Sequence, residues 1–287
     1  MFFSNYNKPG KGVNKRDPNQ PRITTFFEIL PRKIWSLCKV NMLSIVVAIP
    51  LFIVAFLISG IFSSKIINSF WVMAGNNPEL QPTLALAHLI IRVGLAAFFA
   101  IFFGSGPVTA GSTYLIRNYA REEHCWLISD FFERLWSNFR QSFVVWLIDL
   151  VALFLLTVAI DFYMSNGIYI LAFILIFVAI VYTLMHLYIY QILITFKLSI
   201  KHIFKNSLLF ALAKAPKSLL LLLINLLVHI VIPFAAIFLT VNPTVLIVYV
   251  VLELLILPAL TSFITNFFIY NDIEKYINLA QESEGKE

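Results

Sequence analysis

The chain has 287 residues, 60% of them hydrophobic and only 13% charged, with a mean hydropathy of +0.86. A soluble domain carries about 25% charged residues, so the composition argues against a soluble globular enzyme and for helices that cross a membrane. The net charge of +6 does not call for nucleic acid, because the basic residues lie between apolar runs, where they mark loops beside anionic lipid.

Residues 1–25 are polar and broken by Pro9, Pro18, Pro21, Gly10 and Gly12, which predicts a flexible tail. No signal-peptide core precedes Met42. Residues 26–39, "FFEILPRKIWSLCK", mix aromatic and basic side chains as a short interfacial helix does, with Trp35 at headgroup level. Six apolar segments follow, at about 41–62, 84–103, 142–163, 168–196, 218–240 and 244–268, each long enough for about 30 Å of hydrocarbon. The expected fold is an all-α membrane protein of six transmembrane helices. It forms three hairpins joined by amphipathic helices, within a domain of residues 26–270 and before a short tail, 271–287.

Orientation follows from the basic residues. Nineteen of the 21 Lys and Arg fall in the N-terminal stretch, the loops after the second and fourth segments, and the C-terminal tail. The exceptions are Lys65 and Arg92. By the positive-inside rule both termini are expected in the cytoplasm, at the cell membrane. Cys38 and Cys125 then lie on the reducing side, so neither a disulfide nor a cysteine metal site is expected. Residues 128–143 place Ile128, Phe132, Leu135, Phe139 and Phe143 at helical spacing. Asp130 with Glu133 resembles a helix-start pair. The approaches to the first, third and fifth segments look alike ("FFEIL", "FFERL", "HIFKN"), which hints at repeated hairpins.

"FFGSGPVTAGSTYLIRNYAREEH", residues 102–124, has the glycine content of a phosphate loop. The lysine of a Walker loop is missing, and Thr109 stands where the dinucleotide fingerprint needs its third glycine. The stretch reads instead as a corner: Gly104 ends one helix, Pro107 starts the next, and Thr109, Gly111 and Ser112 permit close packing. Within the apolar segments stand Arg92, Asp149, His186, Asn225, His229 and Glu253. At 1.5 Å per residue, Arg92 and Glu253 lie at similar depth, about 12 and 13 Å from the outer side, so they are expected to form an ion pair. Asp149 and His186 are expected at a common level in the inner third. Asn225 and His229 share one helix face. No metal-protease, hydrolase or nucleotide motif appears, so no enzyme and no cofactor are expected.

"KPGKGV", "FFEIL" before "KVNMLSIVVAIP", and "GPVTAGSTYLIRNYAREEH" followed by "DFFERLWSNFRQS" resemble the YesL family of bacterial membrane proteins. The resemblance runs over nearly the whole chain and is carried best by Gly104, Gly106, Pro107, Arg117, Asp130 and Asn138. It implies an integral membrane protein encoded beside carbohydrate-uptake transporters and sensor kinases, and it brings no catalytic residues. The first functional expectation is a non-enzymatic accessory or regulatory component linked to carbohydrate uptake or sensing. Its partners would be the lipid bilayer and a sugar transporter permease or sensor kinase. It predicts a compact bundle without a continuous cavity. The alternative is a small transporter or channel, with Arg92, Glu253 and His229 lining a water-accessible cavity.

Overall fold

The computed structural model of the chain describes residues 21–74, 85, 88–89, 91–96, 105–235 and 243–284. Their regular structure is helical throughout: α1 (Arg22–Ala74), α2 (Pro107–Ala120), α3 (Leu127–Ser137), α4 (Phe139–Ser165), α5 (Tyr169–Thr195), α6 (Ile200–Ala213), α7 (Ala215–Leu226), α8 (Pro243–Leu255) and α9 (Leu257–Glu284). A π turn, Leu227–Val231, continues α7 into a last short helix, Ile232–Ala235.

Two expectations about the N-terminal third need correction. The tail was expected to reach residue 25, and the interfacial helix to be separate from the first apolar segment. Instead α1 starts at Arg22 and runs unbroken for 53 residues, past Pro31 and Pro50. A proline removes one backbone bond from a helix interior. Here the loss is offset because Phe26, Ile29, Leu37 and Val40 bury one face in a shared core, while Trp35 stays 78% exposed on the other.

Among the described residues three helices are long and apolar enough to cross a membrane: Arg22–Gly60, Phe139–Ser165 and Tyr169–Thr195. Two bent pairs raise the number to five. Expected segments 142–163 and 168–196 correspond to α4 and α5. Segment 84–103 falls mostly outside the described residues, of which 91–96 are helical. Segment 218–240 is α7, met by α6 at 97°, and segment 244–268 is two helices bent by 51°. The three look-alike approaches thus adopt different geometries: continuous in α1, interrupted at Asn138 before α4, and sharply turned before α7.

The break between α8 and α9 has a local cause. Pro258 has no N–H to give to the carbonyl of Leu254, and its ring crowds that turn. The Leu254 carbonyl accepts instead from the Asn41 Nδ2 of α1 at 2.9 Å, and the same amide also donates to the Glu253 carbonyl at 3.2 Å. Asn41 is buried.

The outward faces are apolar. Val151, Leu155 and Phe162 of α4, Phe173 and Phe177 of α5, Leu220 and Leu223 of α7, and Ile247 and Leu254 of α8 are all more than half exposed. Water-soluble monomers do not show apolar patches of this extent, and hydrocarbon solvates such a surface at no cost, so the surface is that of a membrane protein. Inside, one cluster joins α5, α6, α7 and the middle of α9. A second joins α1, α2, α3 and the start of α9. Ile264 and Phe268 of α9 pack on both.

A polar cavity between two histidine–carboxylate pairs

Helices α4 and α5 form a tight hairpin, turned at Gly167 with φ 73°, a conformation glycine adopts without strain. A turn centred there sets the register, bringing residues equidistant from it side by side. Asp149 and His186 are 18 and 19 residues from Gly167, so they meet. His186 Nε2 lies 2.8 Å from Asp149 Oδ1, and the Tyr182 hydroxyl donates to the same oxygen at 2.5 Å. The side chains of Asp149 and His186 are 0% and 2% exposed. A carboxylate so removed from water persists only when paired or hydrogen-bonded, and both conditions hold. The expected common level of the two is thus a direct contact.

Glu253 makes a second pair. Its Oε1 lies 2.9 Å from His229 Nδ1, and Tyr249 donates to Oε2 at 3.1 Å. The other ring nitrogen of His229 is 2.9 Å from the Thr261 hydroxyl, which also reaches the carbonyls of Leu257 and Pro258. The π turn carries His229 to this position. Asn225, one turn earlier, donates to the Leu221 carbonyl at 2.8 Å and reaches Thr265 at 3.5 Å.

The expected Arg92–Glu253 ion pair is not formed. The Arg92 guanidinium donates to the Phe56 carbonyl at 3.2 Å and lies 4.4 Å from that ring's centroid. Gly60 makes the room: a Cβ there would come within 3.0 Å of the guanidinium. Equal depth did not decide the pairing, because Arg92 packs on α1, where Ser59 donates to its carbonyl at 3.1 Å and His88 meets Ser63 at 2.8 Å. Glu253 faces α7 instead.

Between the two pairs lies a cavity of about 120 Å³. His186 and Asn225 line it, as does Thr261, the partner of His229. The rest of its wall mixes hydroxyl and amide side chains, Thr109 and Thr113 from α2, Gln191 from α5, and Ser262, Thr265 and Asn266 from α9, with the apolar Leu187, Leu222 and Pro258. Gln191 is 2% exposed, and neither its Nε2 nor its Oε1 has a hydrogen-bond partner among the described residues. Asn266 donates to the Ser262 carbonyl at 2.7 Å, but its own Oδ1 accepts from none of the described residues. A larger compartment, about 400 Å³ and mostly apolar, lies against α1, shares Thr109, Pro258 and Ser262 with the first, and reaches Glu253.

Sequence reasoning missed Asn41, Gln191, Thr261 and Asn266, because it gave weight to charge. A signal was present: Thr261, Ser262, Thr265 and Asn266 repeat at steps of three and four within an apolar segment, as do Thr109 and Thr113. Among the described residues no three His, Cys, Asp or Glu side chains come together as a metal site would require.

The residues of the glycine-rich corner act on packing. Gly106 has φ 56°, and a Cβ there would lie 3.1 Å from Trp146 Cβ and 3.2 Å from the Ser142 carbonyl. Pro107 occupies the first turn of α2, and the Thr109 hydroxyl accepts from the Ser105 N–H at 2.6 Å. Arg117 donates to the Thr195 hydroxyl at 2.9 Å between the rings of Tyr114 and Tyr270. Burial draws its pKa below the usual guanidinium value. Asp130 is not paired with Glu133; its carboxylate accepts the Trp126 N–H at 2.8 Å and closes the first turn of α3. Asn138 joins α3 to α4, donating to the Arg134 carbonyl at 2.9 Å. Of the expected stripe Leu135 is buried, together with Phe131, which the stripe did not include, while Ile128 is 63% and Phe139 39% exposed. Gly104 lies outside the described residues.

No curated protein and no solved structure matches the chain. A family model described as "Protein of unknown function, DUF624" matches residues 65–160. That stretch takes in the second apolar segment, the corner, α2, α3 and most of α4, so it is over this third, the part that packs around Gly106, Gly111 and Asn138, that the chain is similar to the DUF624 family.

Proposed function

We propose that the chain is a multi-pass, non-enzymatic accessory or regulatory component of the bacterial cell membrane, with both termini in the cytoplasm, whose working part is the polar cavity. The supporting observation is the buried Gln191 amide, unpartnered among the described residues and on the wall of a partly polar space between two hydrogen-bonded histidine–carboxylate pairs. In an apolar surrounding an unsatisfied amide costs on the order of 1–3 kcal/mol, so its place on a cavity wall favours a partner that enters the cavity. The resemblance to the YesL family, a DUF624 family, supports carbohydrate uptake or sensing as the setting. A sugar transporter permease or sensor kinase is then the protein partner. Trp126, Ile128 and Trp136, each more than 60% exposed on or beside α3, offer a surface to that partner or to the bilayer interface.

A small transporter is the second reading, favoured by the larger compartment that shares a wall with the cavity and reaches Glu253. Purification of the full chain in mild detergent, with identification of co-purifying proteins, separates the two. Reproducible recovery of a permease or kinase supports the accessory role. A monodisperse protein without partners that moves solute across liposomes replaces it with transport.

A further inference from the structure

We infer that the cavity is a binding site for a small uncharged solute rich in hydroxyl groups, a polyol of about four water volumes. This rests on the reading of the cavity as the working part and names what it holds. Size sets the first limit: 120 Å³ corresponds to about four waters at roughly 30 Å³ each.

Charge sets the second limit. Among the described residues no Lys, Arg, Asp or Glu lines the cavity. Asp149 and Glu253 are not among its lining residues, and each has its own partners, Asp149 in His186 and Tyr182, Glu253 in His229 and Tyr249. An ionic solute would leave water without a counter-charge, which is costly inside an apolar shell.

The pattern of donors and acceptors sets the third. Gln191 offers both an N–H and a carbonyl, Asn266 a carbonyl, and Thr265 and Ser262 hydroxyls that give or take a hydrogen bond. A lone metal cation is served by oxygens only and would leave the Gln191 N–H groups unanswered. A hydroxyl both gives and takes, so neighbouring hydroxyls on one carbon chain answer the whole wall.

The test uses the full chain in lipid nanodiscs and saturation-transfer NMR, which reads weak contacts. The probes are glycerol and erythritol, with glycerol phosphate as the charged control. Wild type should transfer saturation to glycerol and erythritol and not to glycerol phosphate. Gln191→Leu and, separately, Ser262→Leu should each weaken transfer at least about tenfold, the loss expected when paired hydrogen bonds are removed or the space is filled. Both variants are checked for a monodisperse profile, and Asn266→Leu substitutes for either that aggregates.

Equal transfer to the phosphate, no transfer to either polyol, or unchanged transfer in the monodisperse variants overturns the inference. So does displacement of the polyols by sodium chloride in place of potassium chloride, which would make the cavity a cation site. If a permease or kinase co-purifies while the polyols fail, only the ligand class falls. If the polyols bind and no partner is found, the accessory reading falls alone.

Discussion

At the level of single residues, polar side chains in this chain serve two purposes that charge alone does not separate. Asn41 donates to two backbone carbonyls, that of Leu254, which Pro258 leaves without an N–H donor, and that of Glu253. Replacing it with leucine should destabilise the protein by about 1–3 kcal/mol, read as a lower unfolding midpoint in detergent; an unchanged midpoint would mean water serves those carbonyls equally well. Arg92 donates to the Phe56 carbonyl and lies over that ring, away from Glu253. The double exchange of Arg92→Glu with Glu253→Arg should therefore fold no better than either single variant, and restored folding yield would reinstate their ion pair. Burial raises the Cys125 thiol pKa, so less of it is thiolate at neutral pH. Its alkylation by iodoacetamide at pH 7.5 should be slower than that of free cysteine and gain on it as the pH rises. A rate equal to free cysteine at pH 7.5 contradicts this.

At the level of elements, the sequence was read well where a helix stands on its own pattern and poorly where neighbours decide. Segments 142–163 and 168–196 coincide with α4 and α5 within a few residues, because unbroken apolar runs ended by a polar Asn-Gly turn leave no other solution. The meeting of Asp149 with His186 was legible for the same reason, since a short turn fixes the register. The break at Pro258 was not, although proline is visible, because apolar runs in membranes often continue past one. What decides here is Asn41, 217 residues earlier. The exchange of partners between Arg92 and His229 was equally illegible: depth is countable along a sequence, but the direction a helix faces depends on what it packs against. Gly111 is a sharper test of packing. A Cβ there would lie 2.9 Å from the Phe131 backbone oxygen, so Gly111→Ala should push α2 from α3 and cost about 1–3 kcal/mol, measured by thermal unfolding. A stability equal to wild type would show that α3 yields freely.

At the level of the whole molecule, both cores include residues of α9 and α2. One core holds the continuous α1 and the corner, the other the α4–α5 hairpin and the turned pair α6–α7. The cavity lies where they adjoin, with walls from α2, α5, α7 and α9. A site at such a seam is more polar than either core, because hydroxyls and amides bridge surfaces that do not interdigitate. The basic end is closed by Lys217, which bonds Asp272 at 2.7 Å and the Phe268 carbonyl at 3.2 Å, and by Arg22, which donates to the Phe267 carbonyl. These contacts bring the first and last described helices to the same end as α2 and α3. On the proposed placement of both termini in the cytoplasm, cysteines placed singly at residue 5 or 285 should label with a membrane-impermeant maleimide only after the inner face is opened. Labelling of intact cells would reverse the orientation.

The π turn at Leu227–Val231 has a consequence for how this chain tolerates a change in length. A π turn holds one residue more than the α-helical turn it replaces, so the helix carries a residue it can spare. Deleting Leu227 lets α7 close as an uninterrupted α-helix, with its flanks still in place. The backbone would gain regular bonds while His229 lost its seat between Glu253 and Thr261. Most deletions inside an apolar helix cost the fold; this one would keep it and cost the site.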